Sequence, residues 1–144
     1  MTIDSEAAQY WNNDDWATRE LKPGVICASG SITVSGAGFS GNVTLVAQGA
    51  ISVSGAGINL TSFLDVDGDA LLMASFSMAG LDISGAGQSW VGILFASNGL
   101  AQASGAGAFS VEGGIIADRV AVVGSGMELG QGDGEGDTSI RLVE

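Results

Sequence analysis

Asp65, Asp67 and Asp69 alternate through the segment DVDGD, with Gly68 between the last two. Three carboxylates so close together can offer several hard oxygen donors to one centre, which is what a divalent cation such as Ca2+ requires. The segment lacks the distal bidentate glutamate and the remaining spacing of an EF-hand loop. A solvated acidic turn is therefore the plainer reading, and the three aspartates stand as the metal-ligand candidates of the chain.

Other reactive groups are few. Cys27 is the sole cysteine, so no internal disulfide can form. It lies in the apolar run VICA with no basic neighbour in sequence to lower its pKa, and a buried, inert thiol is expected. Histidine is absent, which removes the commonest general base and the usual zinc ligand. Lyase chemistry on acidic sugars needs a basic residue facing a cleft. The chain has four basic residues, Arg19, Lys22, Arg119 and Arg141, and only Arg119 lies inside the repeats. A carboxylate pair for glycoside hydrolysis could be drawn from Asp65, Asp67, Asp69 and Asp82, but no spacing singles one out. The Gly-x-Gly elements lack the strand–helix context of a nucleotide site. The expectation is a protein without catalytic machinery and, the candidate Ca2+ aside, without a cofactor.

Sixteen acidic residues against four basic ones leave a net charge of −12. Such a surface repels phosphate backbones and anionic lipids, so nucleic acid and inner-leaflet membranes are poor partners and no nucleic acid is expected. No apolar stretch approaches the roughly 18 residues of a membrane span. Any membrane anchor is expected to lie outside this sequence.

The positions of these groups are set by a repeat. The tetrapeptide SGAG begins at Ser35, Ser54, Ser84 and Ser104, and a worn copy, VGSG, begins at Val123. The intervals between copies are close to 20 residues except one of 30, and a period of this size marks a repeat architecture. Before each phrase, apolar residues alternate with small or polar ones: Ile32 and Val34, Ile51 and Val53, Leu81 and Ile83, Val120 and Val122. This is the period of a strand with one buried side. About ten residues earlier stands a second apolar run: VICA, VTLVA, ALLMASF, VGILFA and GGIIA. These runs are too short for ordinary helices and are bounded by glycine.

Two or three strands per 20-residue turn, with no helical spacer, describe an all-β, single-domain parallel β-helix, or solenoid. About five coils of 19–22 residues are expected, right-handed, rising roughly 4.8 Å per coil. The Gly-Ala-Gly forms the corner, and the serines before it form a ladder. The long interval holds an insertion that includes DVDGD. Residues 1–22, with Tyr10, Trp11 and Trp16, are expected to make a short helical, aromatic cap capped by Asp4 or Ser5 and by Asp14. Residues 23–130 form the β-helix. Residues 131–144 form an acidic, glycine-rich tail whose closing IRLVE is apolar enough to dock back.

The ordered phrases KPGVICASGSITVSGAG, GNVTLVAQGAISVSGAGINLTSF, WVGILFASNGLAQASGAG and GGIIADRVAVVGSG resemble the C-terminal region of bacterial pilus-associated proteins, the Tad/Flp pilus-assembly and PilX-like minor-pilin proteins. Those proteins carry Tyr and Pro where GILFASNG has Phe95 and Ser97. The resemblance implies an extracellular or cell-surface structural domain, used for presentation or adhesion. Its partners would be other pilus or envelope proteins or surface glycans. Two alternatives stand beside it: a self-assembling scaffold in which solenoids stack end to end, as in bactofilin filaments, and a carbohydrate-active enzyme on the same frame. Ice binding is disfavoured, because the outward positions Thr33, Ser52, Asp82, Gln102 and Ala121 do not make a uniform ladder.

Overall fold

The computed structural model describes residues 1–63, 70–106, 109–124, 127–130 and 140–142. The chain is a parallel β-solenoid of about five turns. Its strands fall on three faces. On the first lie β1 (Thr2–Ile3), β3 (Ile32–Ser35), β5 (Ile51–Ser54), β8 (Leu81–Ala86), the end of β9 (Ser89–Ala106) and the end of β10 (Phe109–Gly124). The second takes the start of β2 (Glu20–Ala28), the start of β4 (Ser40–Ala47), β6 (Asn59–Thr61), the starts of β9 and β10, and β11 (Met127–Gly130). The third takes the remainder of β2 and β4, β7 (Leu71–Ser75), the middle of β9 and β10, and β12 (Ile140–Leu142). Of the closing IRLVE, Ile140–Leu142 returns to the solenoid as a strand paired with Ile115, Ile116 and Ala117.

The alternating pattern of the first face becomes two continuous inward rows. One runs Ile32, Ile51, Leu81, Ala101, Val120, and the other Ile3, Val34, Val53, Ile83, Ala103, Val122. The third face supplies Ile26, Leu45, Met73, Leu94 and Ile115, with the small row Ala28, Ala47, Ser75, Ala96 and Ala117 beside it. From the second come Leu21, Leu60, Trp90 and Val111. These rows meet in one core whose central members are essentially inaccessible to solvent. Its burial is the main stabilising contribution of the fold.

The repeated phrase sets the register. Ser35, Ser54, Ser84 and Ser104 pair in succession, and Val123 takes the next place. The glycine after the serine is required by its neighbour. Gly55 has φ +147°, and a Cβ there would fall on the carbonyl oxygen of Gly36; Gly85, at φ +140°, would strike the carbonyl of Gly55 in the same way. The corner therefore fails sterically with any side chain, because its copy lies one strand spacing away.

The amino-terminal cap is built from 3-10 turns at Ala8–Tyr10, Asn12–Asp14 and Trp16–Thr18, where an ordinary helix was expected. The departure has local causes. Asn13, Asp14 and Arg19 hold positive φ near 55°, which no right-handed helix can carry through. The Asp15 carboxylate, rather than that of Asp14, caps the third turn by accepting from Ala17 N at 2.9 Å. Asp4 Oδ1 accepts from Glu6 N at 2.9 Å, ahead of a first turn that has no side-chain cap. This path brings Trp11 over the end of the core, fully buried, with its Nε1 donating to Asp4 O at 2.7 Å. Trp16 and Phe39 meet it edge-on at 4.4 and 5.5 Å between centroids. The segment also begins as a strand, since Thr2 and Ile3 pair with Thr33 and Val34.

Three register shifts interrupt the ladders, between Leu21 and Gly24, Leu71 and Met73, and Ala117 and Arg119. All three border the third face.

Replacing Gly55 by alanine is expected to destabilise the chain by about 3 kcal/mol or more, since strain and overpacking combine. Gly57→Ala places its Cβ in ordinary van der Waals contact with Gly38, 3.7 Å from its Cα, and should cost only about 1 kcal/mol for its positive φ. Urea denaturation of the two variants distinguishes them, and equal midpoints would refute the role given to the Gly36–Gly55–Gly85 stack. Truncating the plug with Trp11→Ala is expected to cost about 3–5 kcal/mol by the same measurement.

Candidate functional site

The outer surfaces of the three faces differ, because each strand gives alternate residues to the outside. The outward row of the first face reads Thr33, Ser52, Asp82, Gln102, Ala121 in direct register. It is heterogeneous, as the sequence indicated. The second face turns out Glu20, Ser40, Asn42, Asn59, Thr61, Ser89, Val91, Ser110 and Glu112. Apart from Val91 this outward surface is polar.

Asp65, Asp67 and Asp69 lie outside the described residues. Among the described residues, no group of three metal-ligating side chains comes together. Asp82 stands exposed on the first face, Glu112 on the second, and Asp118 at the border leading from the third face to the first. Arg119 is exposed beside Asp118 and takes its register from Leu100. Asp82, Glu112 and Asp118 therefore sit on separate surfaces.

Comparison with known protein families, curated proteins and solved structures finds no match to this chain. Its chemistry has to be taken from its own surfaces.

The third face is the one that departs from ordinary patterning. Its outward row is Cys27, Val46, Ala74, Phe95, Ile116, so the sheet is apolar on both sides. Around this row, Val25, Phe63, Phe76 and Met78 are exposed, and Phe76 meets Phe95 at 6.2 Å in an edge-on contact. The signal was present in the sequence: VICA and VGILFA carry no polar side chain of ordinary strand alternation and VTLVA only Thr44, the mark of strands apolar on both faces.

Cys27 corrects an expectation. Its thiol is exposed. Within VICA the inward positions belong to Ile26 and Ala28, and the period of two sends Val25 and Cys27 outward. An apolar run alone gave no sense of direction.

Two polar groupings were not anticipated. Thr44 Oγ1 and Ser62 Oγ both donate to Leu71 O, at 2.8 and 2.7 Å, while Ser62 N donates to Val91 O at 2.8 Å. This network ties Ser62 to Leu71, so the two ends of the insertion are held together at its base. At the preceding corner, Gln88 follows Phe39 and Ile58 in the stack and is buried. Its Nε2 donates to Gly55 O at 2.6 Å and to Ser84 O at 2.9 Å, which fastens one glycine corner to the next. Gln88 Oε1 and Trp90 Nε1 are buried and find no hydrogen-bond partner among the described residues. A single polar residue in an otherwise apolar position leaves no periodic trace, which is why Gln88 escaped notice.

The exposed thiol gives a direct check on the third face. Ellman's reagent is expected to titrate one thiol per chain in the native state within minutes, and reaction only after denaturation would show that Cys27 points inward. Ser62→Ala should destabilise the chain by about 1 kcal/mol, the usual size of one neutral hydrogen bond, with thermal unfolding as the readout.

Proposed function

We propose that the chain is a non-catalytic structural domain of a cell-surface protein, pilus-associated or otherwise belonging to the envelope. In this role it holds its outer faces toward neighbouring envelope proteins or surface glycans. The observation that carries the structural part is the uninterrupted core. Inward rows run from the Trp11 plug through coil after coil, while Asp82, Glu112 and Asp118 stand apart on separate faces. The chain invests its repeat in a rigid, regular body.

The cell-surface and pilus part is supported by the order of the phrases from KPGVICASGS to GGIIAD, together with a charge of −12 that discourages nucleic acid and anionic lipid. Among the described residues no helix is long and apolar enough to cross a membrane. The candidate cation at Asp65, Asp67 and Asp69 would serve this reading as a loop-ordering ion.

The cap favours discrete bodies over stacked filaments. β1 and the turns around Trp11 cover two of the three faces at the amino-terminal end, so the strands there cannot all continue into another copy. Negative-stain electron microscopy of the purified chain is expected to show short separate particles. Long unbranched filaments would favour the self-assembling scaffold instead. A panel of acidic and neutral polysaccharides is expected to yield no reducing-end or unsaturated product. Turnover abolished by Asp82→Asn would overturn the non-catalytic assignment.

A further inference from the structure

The cap leaves one strand uncovered. β1 lies along the edge of β3 on the first face, and an antiparallel bridge from Trp11 to Leu21 occupies the second-face part of β2. The third-face part, Gly24–Ala28, pairs with β4 on one side, and among the described residues no strand lies along its other side. Exposure agrees with the topology. Ile26 and Ala28 point inward yet remain only half-buried, while Leu45 and Ala47, their partners in the next coil, are at 0%. Val25 is 47% exposed and Cys27 is exposed beside it. Edge strands are usually blunted by proline, lysine or charge. Here Lys22 and Pro23 blunt only the start of the strand, and the four residues after Gly24 carry none of these devices.

The shape of this end restricts what can fit. The cap stands about one strand spacing, roughly 4.8 Å, above the open edge on the other two faces. The edge is therefore the floor of a notch. A second solenoid end would meet β1 and the Trp11 segment before any of its strands reached Val25–Ala28. One extended segment enters without that collision. It would place alternate side chains over Ile26 and Ala28 and the others beside Val25 and Cys27.

Charge narrows the choice further. The same end carries Asp4, Glu6, Asp14, Asp15 and Glu20. Its cations are engaged: Arg19 lies 4.2 Å over the Trp16 ring and donates to Ala37 O, Lys22 pairs with Asp14, and the terminal amine donates to Ser31 O. A second copy of a chain with charge −12 is repelled from this end, and a basic segment is drawn to it.

We propose that the notch over Gly24–Ala28 binds an extended segment of a different protein, apolar at alternate positions and flanked by Lys or Arg, which adds as a further strand to the third face. Backbone hydrogen bonds to the free edge supply affinity, and the half-buried Ile26 and Ala28 select the apolar positions.

The test uses the intact chain and a fluorescein-labelled peptide, Lys-Thr-Val-Thr-Val-Thr-Val-Lys, followed by fluorescence anisotropy and by amide hydrogen exchange. Binding is expected to saturate and to slow exchange of the edge amides within Val25–Ala28 by about tenfold or more, with the strands of the first face unchanged. A peptide with proline at its central threonine is expected to bind about tenfold more weakly, having lost backbone hydrogen bonds. A glutamate-ended version should weaken as well, and added salt should narrow the difference between the two. Absence of saturation up to roughly 1 mM peptide, equal binding of the proline-interrupted peptide, or protection at another face would overturn the proposal. Concentration-dependent dimers that protect the same amides without peptide would give the notch to a second copy and overturn it equally.

Discussion

Each coil of this chain lies one hydrogen-bonded strand spacing from a copy of itself, and that closeness governs the rest of the structure. Where the backbone turns, the carbonyl of one coil occupies the space in which a side chain of the next would stand. Gly55 over Gly36 and Gly85 over Gly55 are the places where this is felt most directly. With the corner fixed, the ladder places like residue on like, and the apolar rows follow. A fold of this kind gains its stability by repetition of one small interface, so the quality of that interface matters more than any single long-range contact.

The ends are where repetition stops and other chemistry takes over. At the amino terminus two tryptophans, a phenylalanine and a set of side chain-to-backbone hydrogen bonds replace the missing coil. The chain uses 3-10 turns there because Trp11 must lie flat across the core while Asn13, Asp14 and Arg19 reverse the backbone around it. The result covers two faces and spares the third. At the other end β11 and β12 continue the second and third faces, and Val120 and Val122 of the first remain only half-buried. The described strands thus cover different faces at the two ends of the stack.

Much of this was legible from residue order. The spacing of SGAG gave the coil length and the pairing of Ser35, Ser54, Ser84 and Ser104, and alternation around Val34, Val53 and Ile83 gave the inward rows of the first face. Such features are periodic, and periodicity survives without coordinates. What stayed hidden was aperiodic or direction-dependent. VICA announced a strand but not which side Cys27 would take. Gln88 fastens two corners by an amide that replaces an aliphatic side chain once only. The helical reading of residues 1–22 failed because helix propensity yielded to the need to plug a core. Asp65, Asp67 and Asp69 fall outside the described residues, so the chemistry first suggested by the sequence is addressed only by ion binding in solution.

The third face carries one more implication. A strand with one greasy side and one wet side resists sliding, since a slip by one residue exchanges the two. The third face has little of that protection, because Val46 and Leu45, or Phe95 and Leu94, are nearly interchangeable in polarity. The shifts at Leu21–Gly24, Leu71–Met73 and Ala117–Arg119 all sit at its borders, where the chain takes up slack. Its alignment is therefore borrowed from the first face of the same coil, whose two-tone pattern and glycine corner act as the ratchet. One side of the prism keeps time for another, and damage to the alternating strands would surface as misthreading on a face that was never altered.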